Sequence, residues 1–185
     1  MIKATLIKIW EGDIEQEYNN GTLCSERALQ SELYRRLRDE LPKEYTVWVE
    51  PAIRIIIEEK KRTIKPDILI SKENEIVTVI ELKYVPHYYA NFIGDLKKLD
   101  HIAKQKSDYK FKLRTYPMTG KYDDNYFQFS KGALLVFAVI ANNEAAALHP
   151  VRNFKKQVGE DIRLENFLVL RGTITPSKKP KFDYD

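Results

Sequence analysis

Apolar positions alternate and cluster along this chain in a way that reads as a series of short elements. Ile68-Leu69-Ile70 and Ile76-Val77-Thr78-Val79-Ile80 are β-branched runs parted by the polar stretch Lys72-Glu73-Asn74-Glu75. Runs of this composition around a polar break predict a β-hairpin. Upstream, Val47, Val49, Ile53, Ile55 and Ile57 fall on alternate positions between Thr46 and Ile57, predicting one long strand kinked at Pro51. Lys60, Lys61 and Arg62 then form a basic turn into the hairpin. Leu29, Leu33, Leu37 and Leu41 recur at helical spacing, so Ser25 to Leu41 predicts an amphipathic helix with Ser25 as N-cap and Pro42 as its stop. Leu96, Leu99 and Ala103 predict a second helix from Gly94 to Lys106, with Lys97, Lys98 and Lys104 leaving one face basic. Ala133 to Ala141 is nearly continuous in apolar residues, as in a strand covered on both faces.

The resulting order is α-β-β-β-α-β, and the helix between hairpin and last strand makes a crossover that predicts a mixed sheet. The N-terminal Met1 to Trp10 reads as a further strand, followed by an acidic loop from Glu11 to Gly21. A short helix near Val151 to Val158, a strand around Phe167 to Thr175 and a flexible tail over 176–185 complete the chain. Ser107 to Gly132 reads as a peripheral insertion whose alternating Phe111, Leu113 and Thr115 suit a half-buried edge strand. Its interleaved Lys110, Lys112, Arg114 and Lys121 with Tyr109, Tyr116 and Tyr122 would also suit stacking on nucleobases. No repeat or linker divides the chain, so one domain is expected.

Composition narrows the class. The 185 residues, 43% hydrophobic and 31% charged, suffice for one globular core. No apolar run approaches the length of a membrane span, and Lys3 and Lys8 break the N-terminus too regularly for a signal peptide. The lone Cys24 excludes an internal disulfide, and a reducing cytoplasm is the expected location. The net charge of +4 permits nucleic-acid binding. Cys24 and the scattered His87, His101 and His149 form no nucleophilic or zinc signature, and no Gly-rich phosphate loop precedes a helix.

Candidate chemistry sits on the central hairpin. Facing positions in an antiparallel pair sum to a constant, and a turn centred on Asn74 sets Asp67 opposite Glu81. Two carboxylates about 5 Å apart repel by roughly 3 kcal/mol at an effective dielectric near 20, so a positive group must lie between them. Period two places Val77, Val79, Glu81 and Lys83 on one face, which offers Lys83 or a hard divalent cation for that role. On the first helix, Glu26 projects into the apolar stripe whereas Glu32 falls to one side. Glu26 either joins the acidic site or complements the helix dipole.

At Pro66-Asp67 and Glu81-Leu82-Lys83 the chain resembles the PD-(D/E)xK nuclease superfamily. The resemblance implies an α/β fold with a restriction-endonuclease-like αβββαβ core, a mixed central sheet and flanking helices. It implies further that Asp67 and Glu81 bind Mg²⁺, replaceable by Mn²⁺, with help from the Leu82 backbone carbonyl. Lys83 would orient or activate the attacking water, and Glu26 would be the additional acidic residue on the preceding helix. The expected activity is hydrolysis of phosphodiester bonds, most simply in DNA, with Lys97, Lys98 and Lys104 as further nucleic-acid contacts. A homodimer would allow both strands to be cut. The alternative is a binding protein or assembly subunit that uses the same scaffold without cutting.

Overall fold

The computed structural model describes residues 1–57, 59–86, 92–105, 109–113, 126–142, 166–175 and 178–185. The helix expected near Val151 to Val158 and most of the basic and aromatic insertion lie outside the described residues.

Helix α3 (Glu26–Glu40) starts where Ser25 Oγ accepts the Ala28 N–H at 3.1 Å, and it buries Leu29, Leu33 and Leu37. It leads into β1 (Tyr45–Val49), which leaves the sheet at once. Glu50 has a positive φ of 47°, and Pro51 has no N–H to offer a ladder. The expected long strand is therefore two strands in different sheets. Pairing with β3 (Lys60–Ile64), β2 (Ile53–Ile57) forms a separate hairpin, so the basic segment that read as a turn is itself a strand. The tight bend falls instead at Glu59, whose φ is 62°.

The chain then re-enters the main sheet through β4 (Ile68–Lys72) and β5 (Glu75–Val85), crosses over through α4 (Ile93–Ala103), and returns as β7 (Tyr126–Ala141). The short β6 (Lys110–Lys112) pairs with the start of β7. Omitting the β2–β3 hairpin, α3-β1-β4-β5-α4-β7 is the α-β-β-β-α-β core. Its sheet is mixed: β1, β4 and β5 pair antiparallel, while β5 and β7 are parallel, as are β7 and the following strand β8 (Phe167–Thr173).

Two ends differ from expectation. Ile2–Ile9 is a helix, α1, which continues through a π-helical turn (Trp10–Ile14) into α2 (Glu15–Asn19), where a strand and loop were expected. Leu6, Ile9, Trp10 and Ile14 are its buried residues, a helical stripe in which the wider π turn carries Ile9 to Ile14 across five positions. Trp10 drives its indole N–H onto the Arg171 carbonyl at 3.0 Å and packs against Phe182. At the other end, β8 (Phe167–Thr173) pairs with β9 (Lys181–Tyr184), so this part of the expected tail is a sheet strand.

The sheet has a helical layer on each side. One face packs on α1, the π turn and α3 through Ile68, Ile70, Ile80, Leu82 and Val136. The other packs on α4 and the β2–β3 hairpin through Leu69, Ile76, Val79 and Phe137. Packing is tight where β7, β8 and β9 meet. A Cβ at Gly172 would lie 2.9 Å from Ile140 Cγ1 and 2.9 Å from Phe182 Cε1. Gly172→Ala is therefore expected to destabilise the protein by about 1 to 3 kcal/mol through overpacking, read as a lower urea midpoint with an unchanged slope.

Candidate active site

The hairpin fixes the central pair. Its turn is two residues, Glu73 and Asn74, with Glu73 at φ 51°, and near it Lys72 pairs with Glu75 and Ser71 with Ile76. A β-bulge then adds one residue to β5, after which Ile70 pairs with Thr78, Leu69 with Val79 and Ile68 with Ile80. Carried one step further, this offset sets Asp67 opposite Glu81, as the sequence predicts. The bulge also moves Val77 to the α3 side of the sheet, so Val77 does not share the face of Glu81, whereas Val79 does.

Asp67 stands immediately before β4 and is held from three directions. Its Oδ2 accepts the Leu82 N–H at 2.6 Å. Its backbone carbonyl accepts the Glu50 N–H and the Gln30 side-chain amide, each at 3.0 Å. The chain exit after β1 and the buried Gln30 of α3 thus both position this residue. Because the N–H and carbonyl of a strand residue point the same way, the Leu82 carbonyl also faces the gap beyond the end of β4.

Glu81 is 0% exposed, and its Oε1 has no hydrogen-bond partner among the described residues. Oε2 receives the Lys98 ammonium at 2.5 Å. Burial, then the nearby Asp67 charge, raises the Glu81 carboxyl from an ordinary 4.5 to about 8, even against the pull of Lys98. Burial also raises Asp67, although the Leu82 hydrogen bond and Lys98 oppose it.

The sequence offers Lys83 as the positive group between the carboxylates, but the structure places Lys98 on Glu81. Lys83 Nζ lies 3.2 Å from Asp95 and 3.8 Å from Glu26. Its burial favours the neutral amine, yet the charges of Asp95 and Glu26 outweigh this and hold it above its usual value. Glu26 reaches the site from the first turn of α3 and also accepts the Tyr84 N–H at 3.2 Å. Glu32 does not reach it, being tied to Arg35 and Arg36 on the helix surface.

Asp95, Lys98 and Gln30 are the residues that sequence reasoning missed at this place. Asp95 bridges the two lysines, 3.5 Å from Lys98. The available signal was the Asp95/Lys98 spacing of three in the first turns of a helix that follows the Glu-Leu-Lys strand. Lys98 consequently leaves the basic face assigned to α4, and Lys104 pairs with Asp100 at 2.8 Å. Lys97 is exposed.

The cluster contains four carboxylates, Glu26, Asp67, Glu81 and Asp95, and two ammonium groups, Lys83 and Lys98. With all of them ionised, a divalent cation would balance the charge. The unpartnered buried oxygen of Glu81 and the hard oxygen donors fit such an ion. Among the described residues no three Asp, Glu, His or Cys side chains form a ready cage, so the protein's share would be two carboxylates and a carbonyl. Mg²⁺ is commonly held in that way, by one or two carboxylates with water and substrate phosphate completing the shell.

No helix among the described residues is long and apolar enough to cross a membrane. No family model matches the chain, and no curated protein does. Among solved structures, P. aeruginosa ATCC27853 NucC in its cAAA-bound form is similar at a TM-score of 0.49 and 13% identity, covering 97% of this chain and 82% of that one. E. coli MS115-1 NucC, also cAAA-bound, is similar at a TM-score of 0.48 and 10% identity with the same coverage.

Proposed function

We propose that this chain is a metal-dependent nuclease that hydrolyses phosphodiester bonds, with DNA as the favoured substrate. The observation that carries the reading is the fully buried Glu81 carboxylate, half unpartnered, beside Asp67 at the end of a strand. Burying a charge this way costs stability and is retained where it has a task.

Asp67, Glu81 and the Leu82 carbonyl would hold Mg²⁺, with Glu26 adding negative charge from α3. The bound ion supplies positive charge for the phosphodiester oxygens and makes water more acidic. Lys83 is gripped by Asp95 and Glu26 and stays an ammonium, so it donates hydrogen bonds that orient the attacking water or a phosphate oxygen, and it does not take up a proton. The water oxygen bonds to phosphorus and gives up a proton to solvent, one phosphorus–oxygen bond to the sugar breaks, and the departing sugar oxygen takes up a proton from solvent.

The test is incubation with single-stranded, linear and supercoiled DNA in Mg²⁺ or Mn²⁺, with and without chelator, alongside Asp67→Ala, Glu81→Ala and Lys83→Ala. Chelator-sensitive cleavage lost in all three variants supports the reading. Binding without cleavage, indifferent to the three substitutions, would replace it with the non-catalytic one. Lys83→Ala is expected to keep its Mg²⁺ affinity in calorimetry while losing about 100-fold in rate, because the ligands remain and only the transition-state contact goes.

A further inference from the structure

The Lys98 ammonium occupies a peculiar place. Among the described residues it is the one partner of a carboxylate with no exposure, at 2.5 Å, yet its own side chain is 32% exposed and reaches that carboxylate from the mouth of the site. Asp95 waits 3.5 Å from the same nitrogen, one turn earlier on α4. Lys98 therefore has two carboxylates within reach, one at the bottom of the site and one at its rim. Only the inner one belongs to the proposed ion-binding pair. A divalent ion that takes Glu81 must take it from Lys98, since a doubly charged ion and an ammonium on the same oxygens repel each other.

We propose that Lys98 is a placeholder for the divalent ion, and that its displacement to the rim turns it into a phosphate ligand. This rests on the nuclease reading and deepens it, by coupling ion binding to capture of the nucleic-acid backbone. Without the ion, Lys98 compensates Glu81 and keeps the two carboxylates from repelling the chain apart. With the ion in place, the ammonium moves toward Asp95, still anchored by α4. There it shares Asp95 with Lys83 and presents a positive charge where a phosphate would arrive. The ion and the backbone are then bound cooperatively, because each is helped by the vacated position of the same side chain.

The sign of one measurement separates this role from a supporting one. If Lys98 served to keep Glu81 ready for the ion, its removal would weaken ion binding. If it competes with the ion, its removal tightens binding. Mg²⁺ affinity is to be measured by calorimetry at pH 9 on the wild-type protein, Lys98→Met and Asp67→Ala, without nucleic acid. About tenfold tighter Mg²⁺ binding is expected for Lys98→Met; unchanged or weaker binding in a folded variant overturns the proposal.

A second readout follows the phosphate role. Binding of a short DNA duplex is measured by anisotropy in chelator and in Ca²⁺. The wild-type affinity is expected to rise about tenfold on adding Ca²⁺, and that rise is expected to shrink to about twofold or less in Lys98→Met. A full rise in the variant would overturn the phosphate role. Should Asp67→Ala bind Mg²⁺ as well as the wild type, the failure lies with the site reading itself and takes this proposal with it. Loss of binding in Asp67→Ala with an unchanged Lys98→Met refutes the placeholder alone.

Discussion

Glu81→Gln is expected to lower the rate of Mg²⁺-dependent phosphodiester hydrolysis by a factor on the order of 1,000 while making the metal-free protein more stable. The two effects share one cause. Glutamine keeps the shape of the side chain and can still accept a hydrogen bond from Lys98, but it removes the buried charge that the ion would need. The stability gain depends on pH. Glu81 is raised from 4.5 to about 8 on folding, so the folded state holds its proton more tightly than the unfolded state does. Its contribution to stability is fully present below about pH 4.5 and is lost as pH rises through 8. Thermal melts of the chelated wild type should therefore lose stability across that window relative to Glu81→Gln. The difference should be absent at pH 4 and largest above pH 8. Equal melting temperatures at pH 9 would mean that Glu81 is not desolvated as its burial indicates.

Trp10→Ala is expected to cost about 3 to 5 kcal/mol, a large part of a typical domain's stability. The indole is fully buried against Phe182, and its N–H donates to the Arg171 carbonyl, so truncation opens a cavity and removes a hydrogen bond to β8. Trp10→Phe, which keeps a ring but not the donor, should recover part of the loss. Urea unfolding followed by far-ultraviolet circular dichroism reads both. Near-equal midpoints for Trp10→Ala and the wild type would mean that the π turn does not dock on β8 and β9 as the indole's hydrogen bond and ring contact indicate.

That N-terminus shows where sequence reading stops. Apolar Ile2, Leu6, Ile7 and Ile9 between lysines satisfy a strand pattern about as well as a helical one over so short a segment, and the π turn spoils the regular 3.6 period beyond it. Helix α3 was legible because four leucines, a capping serine and a terminating proline agree. The facing of Asp67 and Glu81 was legible because hairpin pairing is a matter of counting. The counting worked through two offsetting departures, a tighter turn and a bulge, neither of which leaves a mark in residue type. Lys98 was visible only as one of three lysines on a helix. Its contact with Glu81 depends on how α4 lies across the sheet, which no local spacing encodes.

The bulge at Val77 has a consequence for how such a chain can change over generations. Because Val77 and Thr78 together oppose Ile70, losing Val77 would heal the ladder and leave every later residue of β5 on its present side. A residue inserted between Thr78 and Glu81 finds no such slack. It would rotate the glutamate into the oily layer beneath α3 and put Ile80, or the inserted residue itself, under Lys98. Descendants of this protein can therefore vary in length at one point of the strand and be held to strict length a few residues away, although both stretches look equally bland in composition.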